Sequence, residues 1–249
     1  MSIQSIQRAF EILKTIDRGS GPARAAVIAE QIGLPRTTVI RILGTLEEVG
    51  AVVQISGEQN GSRQYAIGPT ARLLGQLKIN NLKEIARPDI EWLAAETGET
   101  VYLCTSAGDD VYYLDQVNSQ HNIQLRDWVG QSLPIHTTAP GKVFLAWLTP
   151  EELDRYLAKP LKAFTPKTVT DPNQIRAYVQ AIREAGYAWT HEQTEAGLIG
   201  VAGPIFGRDA ELVGSVSLGG PSFRFPQPGQ EQKMAELVVE VGRRISAKL

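Results

Sequence analysis

The stretch IAEQIGLPRTTVIRILGTLEEVGAV (28–52) decides the fold of the N-terminal part of this 249-residue chain. Ala29 is small, Ile32 is apolar and Gly33 follows at once; Val39, Ile42, Leu43 and Leu46 then recur at three- and four-residue spacing. Such spacing lines one face of a helix with apolar side chains. Gly33 accepts a turn conformation that a side chain resists, and Ala29 lets two helices cross closely. The stretch therefore reads as a helix over about 24–31, a turn, and a second helix from Pro35 to about Val49. The outward surface of that second helix carries Arg36, Thr37, Thr38, Ile40, Arg41 and Thr45. In a helix-turn-helix this end of the helix meets base edges and phosphates.

The flanks extend the motif. Upstream, Ser5 is the expected N-cap of a helix in which Ile6, Ala9, Phe10, Leu13 and Ile16 share a face, with Gly19 as its stop and a turn over 19–22. Downstream, 51–55 (AVVQI) and 64–67 (QYAI) read as two strands around a polar turn that holds Asn60 and Gly61. A plain helical hairpin has no need of those strands. Three helices followed by a β-hairpin are the winged form, with Arg63 where a wing meets the nucleic-acid backbone and Arg24 expected to hold the same backbone.

Charge follows the same division. Residues 1–79 carry a net charge of +3 and the remainder −5, within a total of −2. A basic head on an acidic body is expected if only the head meets phosphate. Hydrophobic residues make up 43% and charged residues 21%, the composition of a globular protein, and no apolar run approaches the ~18 residues that span a bilayer. The N-terminus lacks the pattern of a signal peptide, so a cytoplasmic location is expected. One cysteine, Cys104, and three scattered histidines (His121, His136, His191) give neither a disulfide framework nor a structural zinc site.

Beyond the hairpin, residues 69–80 are expected to form a linker helix with Leu73, Leu74 and Leu77 on one side. Residues 79–83 are polar, and a separate amphipathic helix over 83–96 follows, with Ile85, Ile90 and Leu93 inward. The expected domains are therefore 1–68, the linker 69–80, and 81–249. In the last of these, 101–105 and 111–114 flank Gly108, Asp109 and Asp110 as a hairpin, and 123–126 reads as a short strand. Helices are expected from Ala139, over 151–157, over 173–185 and over 231–248, with strands at 187–189, 201–206 and 212–218. Helices on an antiparallel sheet make an α+β domain.

Catalytic constellations are not apparent. There is no G-x-S-x-G, H-E-x-x-H, P-loop or strand-linked G-x-G-x-x-G. Asp109 and Asp110 sit at a hairpin tip, where solvated carboxylates are ordinary, and His136 reads as a histidine bonded to neighbouring backbone. No enzyme activity, metal or cofactor is expected. The segment PIHTTAPGK (134–142) is more suggestive: threonines precede a helix whose first turn is Ala139, Pro140 and Gly141. A helix N-terminus with small residues suits a carboxylate, although a simply capped helix has the same pattern.

Several segments also resemble a known family. SIQRAFEIL (5–13), residues 28–52 and YAIGP (65–69) resemble the N-terminal domain of the IclR-type bacterial transcription regulators. LPIHTTAPGKVFLA (133–146) resembles that family's LP-x-H-A-x-A-x-GK segment. Glu192, Gly197 and VAGPIFGRDAELVGSVSLGGP (201–221) resemble its C-terminal signature. The resemblance runs through nearly the whole chain in order. Ala66 departs from it where a basic or polar residue is frequent, as does Pro140, which follows Ala139 where a small residue is usual.

What the resemblance implies is a winged helix-turn-helix joined by a linker helix to a GAF-like effector-binding domain. It places Leu125, Leu133, Ala139 and Pro140 on one side of an effector pocket and Thr190, Gly200, Ser217 and Gly219 on the other. Leu125 and Leu133 would be its apolar wall and Ser217 a hydrogen-bond donor. Trp128, Trp189 and Tyr112 are within its compass but read first as core. The expected function is a ligand-responsive regulator. As a homodimer or homotetramer it would bind an inverted-repeat operator in double-stranded DNA through Arg24, Arg36, Thr37, Thr38, Arg41 and Arg63. The expected effector is a small organic acid with an apolar or aromatic body, and the target a catabolic operon. The alternatives are a metal- or redox-responsive regulator using Cys104, and an enzyme with a DNA-binding head.

Overall fold

The computed structural model describes residues 3–17, 22–56, 63–208 and 210–249. The expected stop at Gly19 and the turn at Asn60 and Gly61 lie outside the described residues, as do the side chains of Leu73, Leu74 and Leu77. The chain divides into two compact units, Met1–Asn80 and Asn81–Leu249.

The first unit begins with α1 (Gln4–Asp17), β1 (Ala23–Arg24), α2 (Ala25–Ile32) and α3 (Arg36–Glu48). Strands β2 (Val52–Ser56) and β3 (Arg63–Ile67) follow, and all three strands pair antiparallel in the order β1-β3-β2. Its core gathers Ile12 and Ile16 from α1, Ile28 and Ala29 from α2, and Val39, Leu43 and Leu46 from α3 against Val52 and Tyr65. Gly33 ends α2 with φ 67°, and its N–H bonds the Ala29 carbonyl. Only a residue at ease in the left-handed region turns the chain so sharply between two helices. Ser5 is not the cap of α1, which starts one residue before it. The two-residue β1 has too short a pattern to be read from sequence, yet it sets Arg24 opposite Gln64.

Helix α4 (Pro69–Thr97) corrects the expected break at 79–83: linker and following helix are one 29-residue helix. The segment Ile79–Lys83 contains neither Gly nor Pro, and two asparagines cost only a few tenths of a kcal/mol each in a helix, less than a fresh pair of termini. In the second unit, Leu82, Ala86, Ile90 and Leu93 of α4 are buried.

The sheet of the second unit contains β4 (Thr100–Ala107), β5 (Asp110–Val117), β6 (Ser132–Pro134), β7 (Ala188–His191), β8 (Leu198–Phe206) and β9 (Leu212–Pro221). Their order is β6-β5-β4-β9-β8-β7, every neighbouring pair antiparallel. The expected strand at 123–126 is absent. In that loop side chains satisfy backbone groups instead of a ladder: Gln124 donates to the Ser119 carbonyl (2.7 Å) and Gln116 accepts from the Trp128 N–H (3.1 Å).

The helices are α5 (Ala139–Ala146), α6 (Pro150–Leu157), α7 (Pro172–Ala185) and α8 (Glu231–Ser246). Gly200 of β8 faces the Ala139 side chain, whereas Gly203 faces the Val238 backbone. Residues an odd number apart point to opposite faces of a strand, so α5 and α8 cover opposite sides of the sheet. The face under α5 holds a large apolar cluster that includes Tyr102, Tyr113, Trp128, Ile135 and Val143.

Candidate functional site

In the first unit, α3 buries Val39, Leu43 and Leu46 and leaves Arg36, Thr37, Ile40, Arg41 and Thr45 exposed, with Thr38 half-buried. Arg24, Arg36 and Arg63 reach one open concavity of about 450 Å³ from β1, α3 and β3; Ala25, Ala26, Ile40 and Tyr65 complete its lining. Among the described residues none of these three arginines has a carboxylate partner. The first turn of α2 joins them, and that helix has no side-chain cap. Helix-start N–H groups with no side-chain cap, and three guanidinium groups with no carboxylate partner among the described residues, make a surface suited to phosphate. Thr37, Thr38 and Arg41 lie on the same helix but outside the concavity. Ile40 belongs to the outward face read from the sequence, whereas Tyr65 is a lining residue that no sequence signal placed at the site.

The second unit contains a cavity of about 40 Å³ between α5 and the sheet. Leu125, Leu133, Ala139, Pro140, Thr190, Gly200, Ser217 and Gly219 all line it. Residues from four strands, one helix and one loop thus converge, and glycines make the space: a Cβ on Gly219 would stand 2.9 Å from Leu125 Cδ1 and 3.2 Å from Tyr102 Cε2. Thr138, one of the threonines before α5 in the suggestive segment, lines it too, and sequence reasoning missed Tyr102, Tyr113 and Thr194, which also line it. Trp128 lines it too, whereas Trp189 and Tyr112 do not; Trp189 stacks instead on His191.

Aromatic side chains of the lining contact one another in series. Tyr102 meets Tyr113 edge-on at 5.3 Å, Tyr113 stacks on Trp128 at 5.9 Å, and the Arg126 guanidinium lies 3.5 Å over the Trp128 ring. Burial raises the phenol pKa of Tyr102 and Tyr113 well above the ordinary value, so both hydroxyls keep their protons and can donate. The α5 terminus offers less than its sequence suggests. Thr138 accepts the Gly141 N–H (3.0 Å) and Pro140 has none, which leaves the Ala139 N–H as the donor of that first turn. No charged side chain lines the cavity.

The other candidates are accounted for locally. His136 bonds the Tyr156 hydroxyl (2.7 Å) and the Lys162 carbonyl (3.0 Å), and burial lowers its pKa. Asp109 pairs with Lys159 at the hairpin tip. Cys104 is fully buried, and desolvation pushes its thiol well up, away from the thiolate that metal binding or redox sensing requires. Among the described residues no cluster of three His, Cys, Asp or Glu side chains could hold a metal, and no helix is long and apolar enough to cross a membrane.

Residues 75–247 match the family described as bacterial transcriptional regulator IclR C-terminal, and residues 5–56 match the IclR helix-turn-helix domain. The chain belongs to the IclR family. Among its relatives, the transcriptional repressor IclR of Escherichia coli is 32% identical over 227 residues, covering 89% of this chain and 81% of that protein. The HTH-type transcriptional regulator KdgR of Escherichia coli is 29% identical over 254 residues, covering 100% and 93%. The crystal structure of Thermotoga maritima IclR superposes with a TM-score of 0.65 at 29% identity, covering 100% and 99% of the two chains. This IclR-family protein is therefore a ligand-responsive, DNA-binding transcription regulator, with a helix-turn-helix head and an α+β effector-binding domain.

Proposed function

We propose that this IclR-family regulator binds an inverted-repeat operator as a homodimer or homotetramer, and that a small organic acid in the 40 Å³ cavity sets its hold on that operator. Residues 1–68 would be the DNA-binding domain, 69–80 the linker, and 81–249 the effector-binding and oligomerisation domain of a cytoplasmic protein that controls a catabolic operon. Arg36, Thr37, Thr38 and Arg41 contact bases and phosphates, and Arg24 and Arg63 hold the backbone. The reading includes no catalytic step.

One observation carries the effector half: eight residues scattered from Leu125 to Gly219 meet around one cavity. For the DNA half the support is the arginine-lined concavity beside the exposed face of α3. The test is a gel shift on a duplex selected from a random pool, with and without a panel of organic acids. An acid that changes operator affinity in the wild type should lose that effect in Ser217→Trp, whose indole fills the cavity. Arg41→Ala should weaken operator binding by about ten- to a hundredfold, the worth of a good base contact. An acid response that survives in Ser217→Trp places the effector elsewhere.

A further inference from the structure

Ile40 is 43% exposed on α3, with Arg36 one turn before it, Gly44 one turn after it and Arg41 next in sequence. A single exposed isoleucine is ordinary on a protein surface. The company of this one is not. It lines the concavity that Arg24, Arg36 and Arg63 enter, and those arginines have no carboxylate partner among the described residues. Phosphate alone does not call for an isoleucine there, because it brings no donor where serine, lysine or arginine would. Nor does the fold call for it. Val39, Leu43 and Leu46 make the buried face of α3, and a β-branched side chain left in water adds little to a helix.

A second residue on the same face agrees. Gly44 lies inside α3, and glycine is destabilising in a helix interior. A Cβ built on it would meet nothing within 4 Å outside its own helix backbone, so packing within the protein does not require a glycine. Its missing side chain keeps the helix surface low beside Ile40, where a large body can come close. An apolar side chain among cationic groups on such a surface fits a polyanion that carries an apolar group at its edge. In the major groove of DNA that group is the C5-methyl of thymine; adenine, guanine and cytosine present donors and acceptors there.

We propose that Ile40 contacts the C5-methyl group of an operator thymine, and so is a specificity-determining residue that selects T at one position of each half-site. The inference rests on the reading of α3 as the helix that enters the major groove. It adds an apolar contact to the polar ones of Arg36, Thr37, Thr38 and Arg41.

The test uses the full-length protein and a duplex that the wild type selects from a random pool. Each thymine is replaced in turn by deoxyuridine, which lacks the methyl group and keeps every hydrogen-bonding atom. Gel shifts compare wild type, Ile40→Ala and Arg41→Ala, and thermal melts follow their folding. In wild type one thymine of each half-site should cost about three- to fivefold in affinity on losing its methyl, the worth of one buried methyl group. In Ile40→Ala that penalty should vanish, since the two groups lost are partners in one contact. Ile40→Ala should stay folded and melt close to wild type, because the site is exposed and alanine is the better helix former. A uracil penalty as large in Ile40→Ala as in wild type, with Arg41→Ala still weakening binding, overturns the role of Ile40 alone. A wild-type scan with no penalised thymine, or a selected half-site without thymine, overturns it as well. Wild-type affinity in both Ile40→Ala and Arg41→Ala overturns the reading of α3 as the helix that reads the operator.

Discussion

Lys142 stands in α5 with 5% of its surface exposed. Its ammonium donates to the Trp189 carbonyl (3.1 Å), lies 4.6 Å from the centre of the Tyr178 ring, and has no carboxylate partner among the described residues. Burial pushes its pKa down from 10.5 to about 8. Between those values the unfolded chain still holds the proton that the folded one has given up, so stability rises with pH across about 8 to 10.5. Below pH 8 both states are charged and the folded one bears the desolvation, at most about 3 kcal/mol. Lys142→Met should therefore raise the melting temperature at pH 7. It should also reduce the gain that wild type shows between pH 8 and 10, as thermal unfolding by circular dichroism at pH 7 and 9.5 would measure. A lower melting temperature at pH 7 would mean that the bonds to Trp189 and Tyr178 outweigh the buried charge. The same residue shows what a sequence conceals at this scale. Lys142 stands in a segment that the sequence singles out and Tyr102 in a strand, but neither letter shows what will surround it. Their chemistry comes from burial, and for Lys142 from the Trp189 carbonyl, which only the folded domain supplies.

Elements were more legible than sites, and for a physical reason. Helix periodicity and turn residues are local, so α2, Gly33 and α3 follow from a dozen neighbouring side chains. Cues failed where pairing is remote or a break is weak: β1 exists because β3 is beside it, 123–126 is a loop because Gln116 and Gln124 bond its surroundings, and 79–83 stays helical. The cavity-lining residues were named through family resemblance, since nothing in their spacing brings Leu125 to Gly219. Glycines show how remote packing is written into single letters. α8 lies on β8 through two of them: a Cβ on Gly203 would stand 2.7 Å from the Val238 carbonyl oxygen, and one on Gly242 would run into the Pro204 carbonyl oxygen. Backbone cannot retreat as a flexible side chain can. Gly242→Ala should therefore destabilise the second unit by about 1–3 kcal/mol, the range for overpacking. For a domain of this size that lowers the melting temperature by roughly 2–12 °C. Differential scanning calorimetry of the variant is the check, and an unchanged transition would mean that α8 has slack to move off the sheet.

Across the molecule, the two functions sit in units of opposite charge, +3 over residues 1–79 and −5 over the rest. If, as proposed, operator binding neutralises phosphates with Arg24, Arg36, Arg41 and Arg63, its affinity should fall steeply with salt as counterions are released. The proposed effector cavity has no charged side chain in its lining, so acid affinity should change much less over the same range. Salt therefore tunes one half of the switch without the other. Linkage imposes a second condition: if saturating acid changes operator affinity by some factor, saturating operator must change acid affinity by that same factor. Regulators of this kind are typically coupled by about 1–3 kcal/mol, which is a five- to 150-fold effect. Fluorescence anisotropy of a labelled operator with and without acid gives one factor, and calorimetric titration of acid with and without operator gives the other. The two factors should agree at every salt concentration, even as the operator affinity itself falls by orders of magnitude. A common factor that itself changes with salt would show that the acid alters how many phosphates the bound assembly neutralises, because only then does the coupling acquire a salt dependence of its own.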